Sequence, residues 1–578
     1  MTQKLLTIIL AFLTGAVMLT VIQAPISLSA LAWVSLVPFV LVCSPTAKPK
    51  PLALAAYLIS LLYWLGNLYW IFPITVVGWA AFCLYTALLW PILAMCLRFC
   101  RNKKVPLFLA VPVLFVGAER LQGLFLGGFF WRFLAHSQYA NISLIQIADM
   151  FGAAGVSFLI AMVNGLAAEL IIAAGQKKLL KTGNFLKTAL VGIVLVAAVL
   201  YGQWRISQED ECVEAGPLVA SLQSNVPQSV KRTFEESDRL FDELMQNSRA
   251  SAEAGAELIV WPETMVQAIL DKAVWPFLVS SETNKIFDRA LRQHSKNTAF
   301  VLVGAYGGQV KQQGDSSTYL ARYNSALLYQ PDGRQYPKRY DKIHLVPFGE
   351  VVPFRRKLPW LYDLLMKFTP YNYDYSLDAG SEYTVFEMTG AKNQEPQVYR
   401  FSVMICYEDT VPAIARRFAK AEQCRKRVDW LVNISNDGWF VRFKEDPARR
   451  EPKGKVFPSA ELPQHTAICV FRAVENRLAI LRSVNTGISC LIDSLGRIRD
   501  SYIAASPDFP VPAMQRKGMA GWFVDEVPID NRTTFFNKYG QWLDFCCAVC
   551  LILLIIVPHL GRFVRTRKYT VRRLGMTK

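Results

Sequence analysis

The chain has 578 residues, 53% of them hydrophobic, and a mean hydropathy of +0.24, too apolar for a purely soluble protein of this size. Its formal charge is +18, but the basic residues cluster between apolar runs, which argues against nucleic acid as the partner. Of the twelve cysteines several fall inside apolar runs, and the five outside them, Cys212, Cys406, Cys424, Cys469 and Cys490, are odd in number and lack CxxC spacing, which excludes a disulfide framework; a single bridge among those five stays open.

In chain order, apolar runs of about bilayer-spanning length lie near 4–22, 27–43, 52–71, 74–97, 105–122, 153–174 and 186–203, with an eighth near 541–560. The runs behind the first make it an uncleaved anchor rather than a signal peptide. Lys48 and Lys50 follow the second run. Arg98, Arg101, Lys103 and Lys104 follow the fourth, and Lys177, Lys178, Lys181 and Lys187 mark the sixth loop. Arg562, Arg565, Arg567, Lys568, Arg572 and Arg573 follow the last run, whereas residues 72–78 carry no charge. Basic residues on alternate loops put both termini in the cytoplasm and the intervening block outside it. Three parts are predicted: residues 1–203 as a bundle of about seven transmembrane helices, 204–540 as a domain outside the cytoplasm, and 541–578 as a last transmembrane helix with a basic tail. Glu119 and Glu169 fall inside runs, where a carboxylate is costly, and are expected to face the bundle interior or water.

Between 204 and 540 the pattern is that of a mixed α/β domain. Alternating apolar residues closed by turns such as Pro331-Asp332-Gly333 predict strands near 217–223, 257–262, 299–306, 323–329, 398–405, 428–435, 479–485 and 488–493. Helices fit 234–253, 284–296, 409–421 and 464–477. Strands interleaved with helices predict sheets covered by helices.

Three charged or nucleophilic residues sit at strand ends. Glu263 follows Trp261-Pro262; it is either a surface carboxylate or a general base whose pKa apolar walls raise. Lys342 is either a solvated lysine or a cation that stabilises a thiolate and then an oxyanion. Glu350, in Pro347-Phe348-Gly349-Glu350, would orient and neutralise it. Cys406 ends the apolar run Phe401–Ile405 and, taken alone, reads as a small buried hydrophobe. But Tyr407, Glu408 and Asp409 follow at once, so the strand stops and a helix is expected to begin, its N–H groups favouring thiolate. Carboxylate, ammonium and thiol together suffice for acyl transfer through a thioester. HExxH, P-loop and GxSxG patterns are absent from the sequence, and five histidines leave little room for a Ser–His–Asp enzyme.

The order Trp261-Pro262-Glu263, then Tyr340 to Glu350, then Cys406-Tyr407-Glu408 resembles the carbon–nitrogen hydrolase (nitrilase) superfamily. Residues 433–440, 471–489 and 127–139, together with the apolar runs, resemble more narrowly the apolipoprotein N-acyltransferase family, and the resemblance covers nearly the whole chain. It implies an α/β fold, a nitrilase-like α-β-β-α sandwich inserted in a bundle of about eight transmembrane helices. It implies Cys406 as nucleophile, Glu263 as general base and Lys342 as oxyanion stabiliser, with Glu350, Tyr407 and Glu408 supporting. Implied partners are a phospholipid acyl donor and a diacylglyceryl apolipoprotein acceptor, with no nucleic acid, no cofactor and no metal. The expected state is a monomer in the bacterial inner membrane. The chain departs from the pattern at Phe130, where relatives often have Pro, and at Arg232, where Trp is frequent. A polar insert, 443–463, reads as a surface loop.

Residues 353–377, rich in aromatics and leucine, are expected to form an arm or lid that dips into lipid, with Arg355, Arg356 and Lys357 toward phosphates; the alternative is that these aromatics pack the domain's own core. Two rival functions remain open on sequence. One is a membrane-tethered amidase with water as the second acceptor, although eight runs exceed what a tether needs. The other is a transporter or scaffold carrying a dead binding module, against which the intact Glu263–Lys342–Cys406 set argues.

Overall fold

The computed structural model describes residues 2–226, 234–278, 280–313, 317–352, 358–367, 375–392, 395–420, 425–444, 455–509 and 511–556. Among the described residues, four helices are long and apolar enough to cross a membrane: Gln3–Val21, Val76–Asn102, Ala153–Gly175 and Thr182–Ser207. Further helices at Pro49–Asn67, Leu107–Gln122 and Trp542–Ile556 fall on predicted runs. The run at 27–43 is not one helix, contrary to expectation. It forms a 3-10 turn, Ser29–Trp33, and a short helix, Val37–Val42, with Pro38 in its first turn. Asn164 of the neighbouring helix satisfies the broken backbone, accepting from Leu36 N at 2.8 Å and donating to Ala32 O at 2.9 Å. Irregular backbone at membrane depth needs such a protein partner. Both carboxylates in the runs find donors: Glu119 accepts from Leu134 N at 2.7 Å, and Glu169 accepts from Leu107 N and pairs with Lys187.

Two sheets follow. The first has eight strands, ordered Ala504–Ala505, Gly521–Asp530, Val213–Gln223, Leu258–Val260, Phe300–Gln313, Ser317–Tyr329 and Tyr340–Asp341, with Val266–Ile269 also pairing to the Phe300 strand. The second has six, ordered Ile498–Arg499, Cys490–Ile492, Ala479–Val484, Trp430–Ser435, Glu395–Ile405 and Phe386–Lys392. Small serines stitch them face to face. Ser221 Oγ donates to Arg482 O at 2.9 Å, and Ser483 Oγ to Leu222 O at 2.9 Å and Val260 O at 3.0 Å.

Helices Phe234–Glu253 and Glu282–Asn297 cover the first sheet. Their Leu240, Phe241, Leu244, Phe287 and Leu291 share one core with Trp261, Val301 and Val303. Helices Pro412–Ala419 and Glu461–Asn476 belong to the second sheet's layer. The result is the expected α-β-β-α sandwich, and every predicted strand has an observed counterpart. The strands Phe386–Lys392 and Gly521–Asp530 were not anticipated. All described cysteines are free; Cys424 lies outside the described residues.

The sandwich is docked on the bundle rather than hung from it. Helix Glu461–Asn476 is buried along its whole length. On the bundle side Gln464 Nε2 donates to Ala24 O at 2.8 Å, Glu475 accepts from Ala153 N at 2.9 Å, and the Phe471 ring lies 5.7 Å from that of His136. Asp149 adds ion pairs to Arg205 at 2.8 Å and Arg477 at 2.6 Å.

Candidate active site

The fold brings the three strand-end residues together. Glu263 is buried just past strand Leu258–Val260. Its backbone presses on the next strand at Gly304, where a Cβ would lie 2.6 Å from Pro262 O and 2.7 Å from Thr264 N. Lys342 follows Tyr340–Asp341, is fully buried, and places Nζ 2.8 Å from Glu350 Oε2 and 3.5 Å from Glu263 Oε1. Asn324, which sequence reasoning missed, bridges the two carboxylates. Its Nδ2 donates to Glu263 Oε1 at 2.7 Å and to Glu350 Oε1 at 2.8 Å, spending both amide hydrogens. Burial works against the lysine's charge, but Glu350 and Glu263 outweigh it, so its pKa is raised and it stays an ammonium.

Cys406 is buried and has φ +53°, a left-handed conformation that is strained for a non-glycine residue. Asn433 Nδ2 donates to its carbonyl at 3.1 Å. The expectation of a helix N-terminus at the thiol is corrected here. Residues Cys406–Thr410 form a 3-10 turn, and the α-helix begins only at Pro412. Burial and the Glu263 carboxylate therefore prevail, pushing the thiol pKa up against the pull of Lys342. The resting sulfur is protonated and needs a base, and a buried carboxylate within its field is the group suited to that task.

Glu408 proves to be a structural clamp. Tyr340 Oη donates to both its oxygens at 2.8 Å; Ile343 N and His344 N donate to Oε1 at 2.8 and 3.0 Å, and Ile405 N to Oε2 at 2.8 Å. It thus ties the lysine segment to the nucleophile strand. Burial lifts its pKa to about 7. Tyr407 reaches the bundle: its hydroxyl donates to Gly128 O at 2.9 Å, and its ring stacks on His344 with centroids 5.8 Å apart. Gly128 has φ +82°, and a Cβ there would lie 2.6 Å from Gly123 O, so only glycine serves at that contact. Phe130, the departure noted above, is buried beside this loop.

Behind the nucleophile lies a second charged group that the sequence did not reveal. His465 Nε2 is 2.6 Å from Asp409 Oδ1; its Nδ1 is 3.2 Å from Glu461 and 3.5 Å from Asp437. Arg482 pairs with Asp409 and lies 3.9 Å from Asp437. Donor atoms of Asp437, Glu461 and His465 converge within 4.8 Å, a spacing a metal ion could use. The Arg482 guanidinium already lies against Asp437, however, so that a cation stands beside this carboxylate without a metal.

At the site's outer edge, helix Pro359–Met366 buries none of its residues, and Trp360 is 66% exposed. That disfavours the core reading for this part of 353–377. The segment's far end returns to the site, Leu377 N donating to Glu350 O at 2.8 Å. Arg355, Arg356 and Lys357 lie outside the described residues, as do Arg232 and residues 445–454 of the insert.

Fold and site define a membrane-bound acyltransferase of the nitrilase type. The family model described as apolipoprotein N-acyltransferase N-terminal domain matches residues 15–166, and that described as carbon-nitrogen hydrolase matches residues 218–503. The chain is 30% identical to an apolipoprotein N-acyltransferase of Geobacter metallireducens over 93% of both chains. It is 26% identical to that of Chlorobaculum tepidum over 90% of each. Among solved structures, an amidase from Nesterenkonia sp. aligns with 55% of this chain and 92% of its own at 13% identity and a TM-score of 0.32. The chain belongs to the apolipoprotein N-acyltransferase family.

Proposed function

We propose that this protein moves an acyl chain from a membrane phospholipid to the N-terminal amine of an S-diacylglyceryl-cysteine apolipoprotein, by way of a thioester on Cys406. The observation that carries the reading is the convergence of Glu263 and Lys342, the latter held by Glu350, on a buried thiol. Glu263 takes the thiol proton as sulfur attacks the ester carbonyl, and Lys342 holds the developing oxyanion. The ester C–O bond breaks, the lysophospholipid oxygen takes the proton back from Glu263, and the acyl group stays on sulfur. The amine then attacks the thioester, Glu263 accepts its proton, and the C–S bond breaks to leave an amide and a thiol. Glu350 and Asn324 hold the lysine and the base in register.

Residues 1–203 and 541–578 form the membrane part and 204–540 the catalytic domain. The basic loops put that domain on the periplasmic side of a bacterial inner membrane, where both acyl lipids lie. The exposed helix Pro359–Met366 supports an arm that meets the bilayer. Whole-chain membership in the family disfavours the amidase alternative.

The test uses purified full-length protein and radiolabelled phospholipid. A hydroxylamine-sensitive acyl adduct is expected on Cys406 and is lost in Cys406→Ser; equal labelling of the two would overturn the mechanism. Offering diacylglyceryl peptide against water as acceptors separates transferase from amidase.

A further inference from the structure

The charged cluster behind Cys406 is wired to it. Asn433, whose Nδ2 donates to the Cys406 carbonyl at 3.1 Å, shares its strand with Ser435, and Ser435 donates its hydroxyl to Asp437 Oδ1 at 2.6 Å. Asp437 faces His465, and His465 faces Asp409, three residues beyond the nucleophile on the same 3-10 turn. Every member is buried. The helix bearing His465 is fixed by its neighbour Gln464, which accepts from Trp131 Nε1 at 2.8 Å and donates to Ala24 O, both in the bundle. The Trp131 ring stands 5.5 Å from the imidazole.

We propose that His465 is a positioning residue for the nucleophile: as an imidazolium it cancels the charge of Asp437 beside the Cys406 sulfur and pins the nucleophile turn through Asp409. Asp409 and Asp437 stand at ion-pair distance from His465 and Arg482, two carboxylates against two basic side chains. Such balance is what a desolvated group of this size requires. The local fields agree. Burial disfavours the imidazolium, yet Asp409 and Asp437 raise the His465 pKa well above its ordinary value. Burial likewise opposes ionisation of Asp437, and His465 and Arg482 reverse this, so its pKa is lowered. Burial, with Asp437 next, lifts Glu461 to about 7. Three charged groups act on the sulfur from separate elements: Glu263, Lys342 and Asp437. Of these three, Asp437 is the one that His465 balances, together with Arg482, so the histidine sets part of the negative charge the thiolate meets when it forms. Cys469 also faces Asp409 and Arg482.

The inference rests on Cys406 being the nucleophile, which the acyl-adduct experiment decides separately. Its own test is the pH dependence of Cys406 alkylation by iodoacetamide in the full-length protein in detergent, followed on the Cys406 peptide by mass spectrometry. No lipid is involved. His465→Gln leaves Asp437 with Arg482 alone, 3.9 Å away, so the pH–rate curve moves to higher pH, and the rate at fixed pH falls about tenfold for each pH unit moved. Asp437→Asn moves the curve to lower pH, and adding it to His465→Gln brings the curve back toward wild type. A histidine that only filled space would lower the rate without this ordering. The proposal is overturned if His465→Gln leaves the curve in place or if the double variant matches His465→Gln alone. If His465→Gln does not accumulate as folded protein, Asp437→Asn decides by itself: a curve that stays or moves up refutes the charge balance.

Discussion

Replacing Glu408 by Gln removes one acceptor oxygen from the clamp between the lysine segment and the nucleophile strand. The carboxylate receives Tyr340 Oη, Ile343 N, His344 N and Ile405 N, all within 3.0 Å. If the amide oxygen stays with Ile343 and His344, its NH2 faces Ile405 N–H, donor against donor. An unsatisfied buried donor costs about 1–3 kcal/mol, and the lost hydrogen bond about 0.5–1.5 more. The sum, roughly 1.5–4.5 kcal/mol, is a large share of the about 5–15 kcal/mol that holds a typical domain. Burial puts the Glu408 pKa at about 7, above the roughly 4.3 of the unfolded chain, so the side chain's stabilising share is complete below about pH 4.3 and is lost as pH rises through 7. Gln does not titrate, so the penalty should be largest at pH 5 and shrink toward pH 8. Denaturant unfolding in detergent, followed by tryptophan fluorescence at both pH values, measures it. A Glu408→Gln protein within about 0.5 kcal/mol of wild type at pH 5, or one whose penalty grows as pH rises, would refute the clamp.

Glu461 has a folded pKa of about 7, from burial and Asp437, against roughly 4.3 when unfolded. Its stabilising share is complete below about pH 4.3 and is lost as pH rises through 7, a change on the order of 3 kcal/mol. Glu461→Gln should flatten the fall in melting temperature between pH 5 and 8, and an unchanged slope would count against the assignment. Gly304→Ala forces a Cβ to within 2.6 Å of Pro262 O. Overpacking of this kind costs about 1–3 kcal/mol, and the yielding atoms belong to the backbone that carries Glu263. Acyl-adduct formation at Cys406 should slow more than the melting temperature drops; labelling at the wild-type rate would show that Glu263 is not so tightly placed.

Much of the catalytic domain was legible because its strands are apolar runs closed by turn residues, and strand ends are where Glu263, Lys342 and Cys406 sit. Strand Gly521–Asp530 escaped notice because Asp525, Glu526 and Pro528 interrupt its apolar alternation. It is held instead by antiparallel pairing to Val213–Gln223. Helix Glu461–Asn476 was predicted, but not its complete burial. Its polar face, with Gln464, His465, Arg472 and Glu475, looks solvated in sequence and is covered by the second sheet on one side and the bundle on the other. Asn324 gave no signal because a single Asn in a strand is indistinguishable from a surface residue until the two carboxylates are placed around it. The break at 27–43 was hidden by hydrophobicity, which does not distinguish a straight helix from two short turns held by a neighbour's amide.

The turn after the nucleophile explains why a continuous helix, as the sequence suggested, would not serve. A 3-10 turn repeats every three residues, so successive side chains leave it about 120° apart. Cys406 turns its carbonyl to Asn433 of the adjacent strand, and Tyr407 reaches Gly128 in the bundle. Glu408 gathers the lysine segment, and Asp409 takes His465 and Arg482. Four consecutive residues thus address five separate elements, and the left-handed backbone at Cys406 is held from all of them. Each contact is a buried hydrogen bond or ion pair, and breaking one leaves a partner unsatisfied rather than exposed to water. The strain at the nucleophile persists because the surroundings over-determine it. The same web links the bundle to the thiol through Tyr407 on one side and Gln464–His465 on the other, so the membrane part is a wall of the site as well as its anchor.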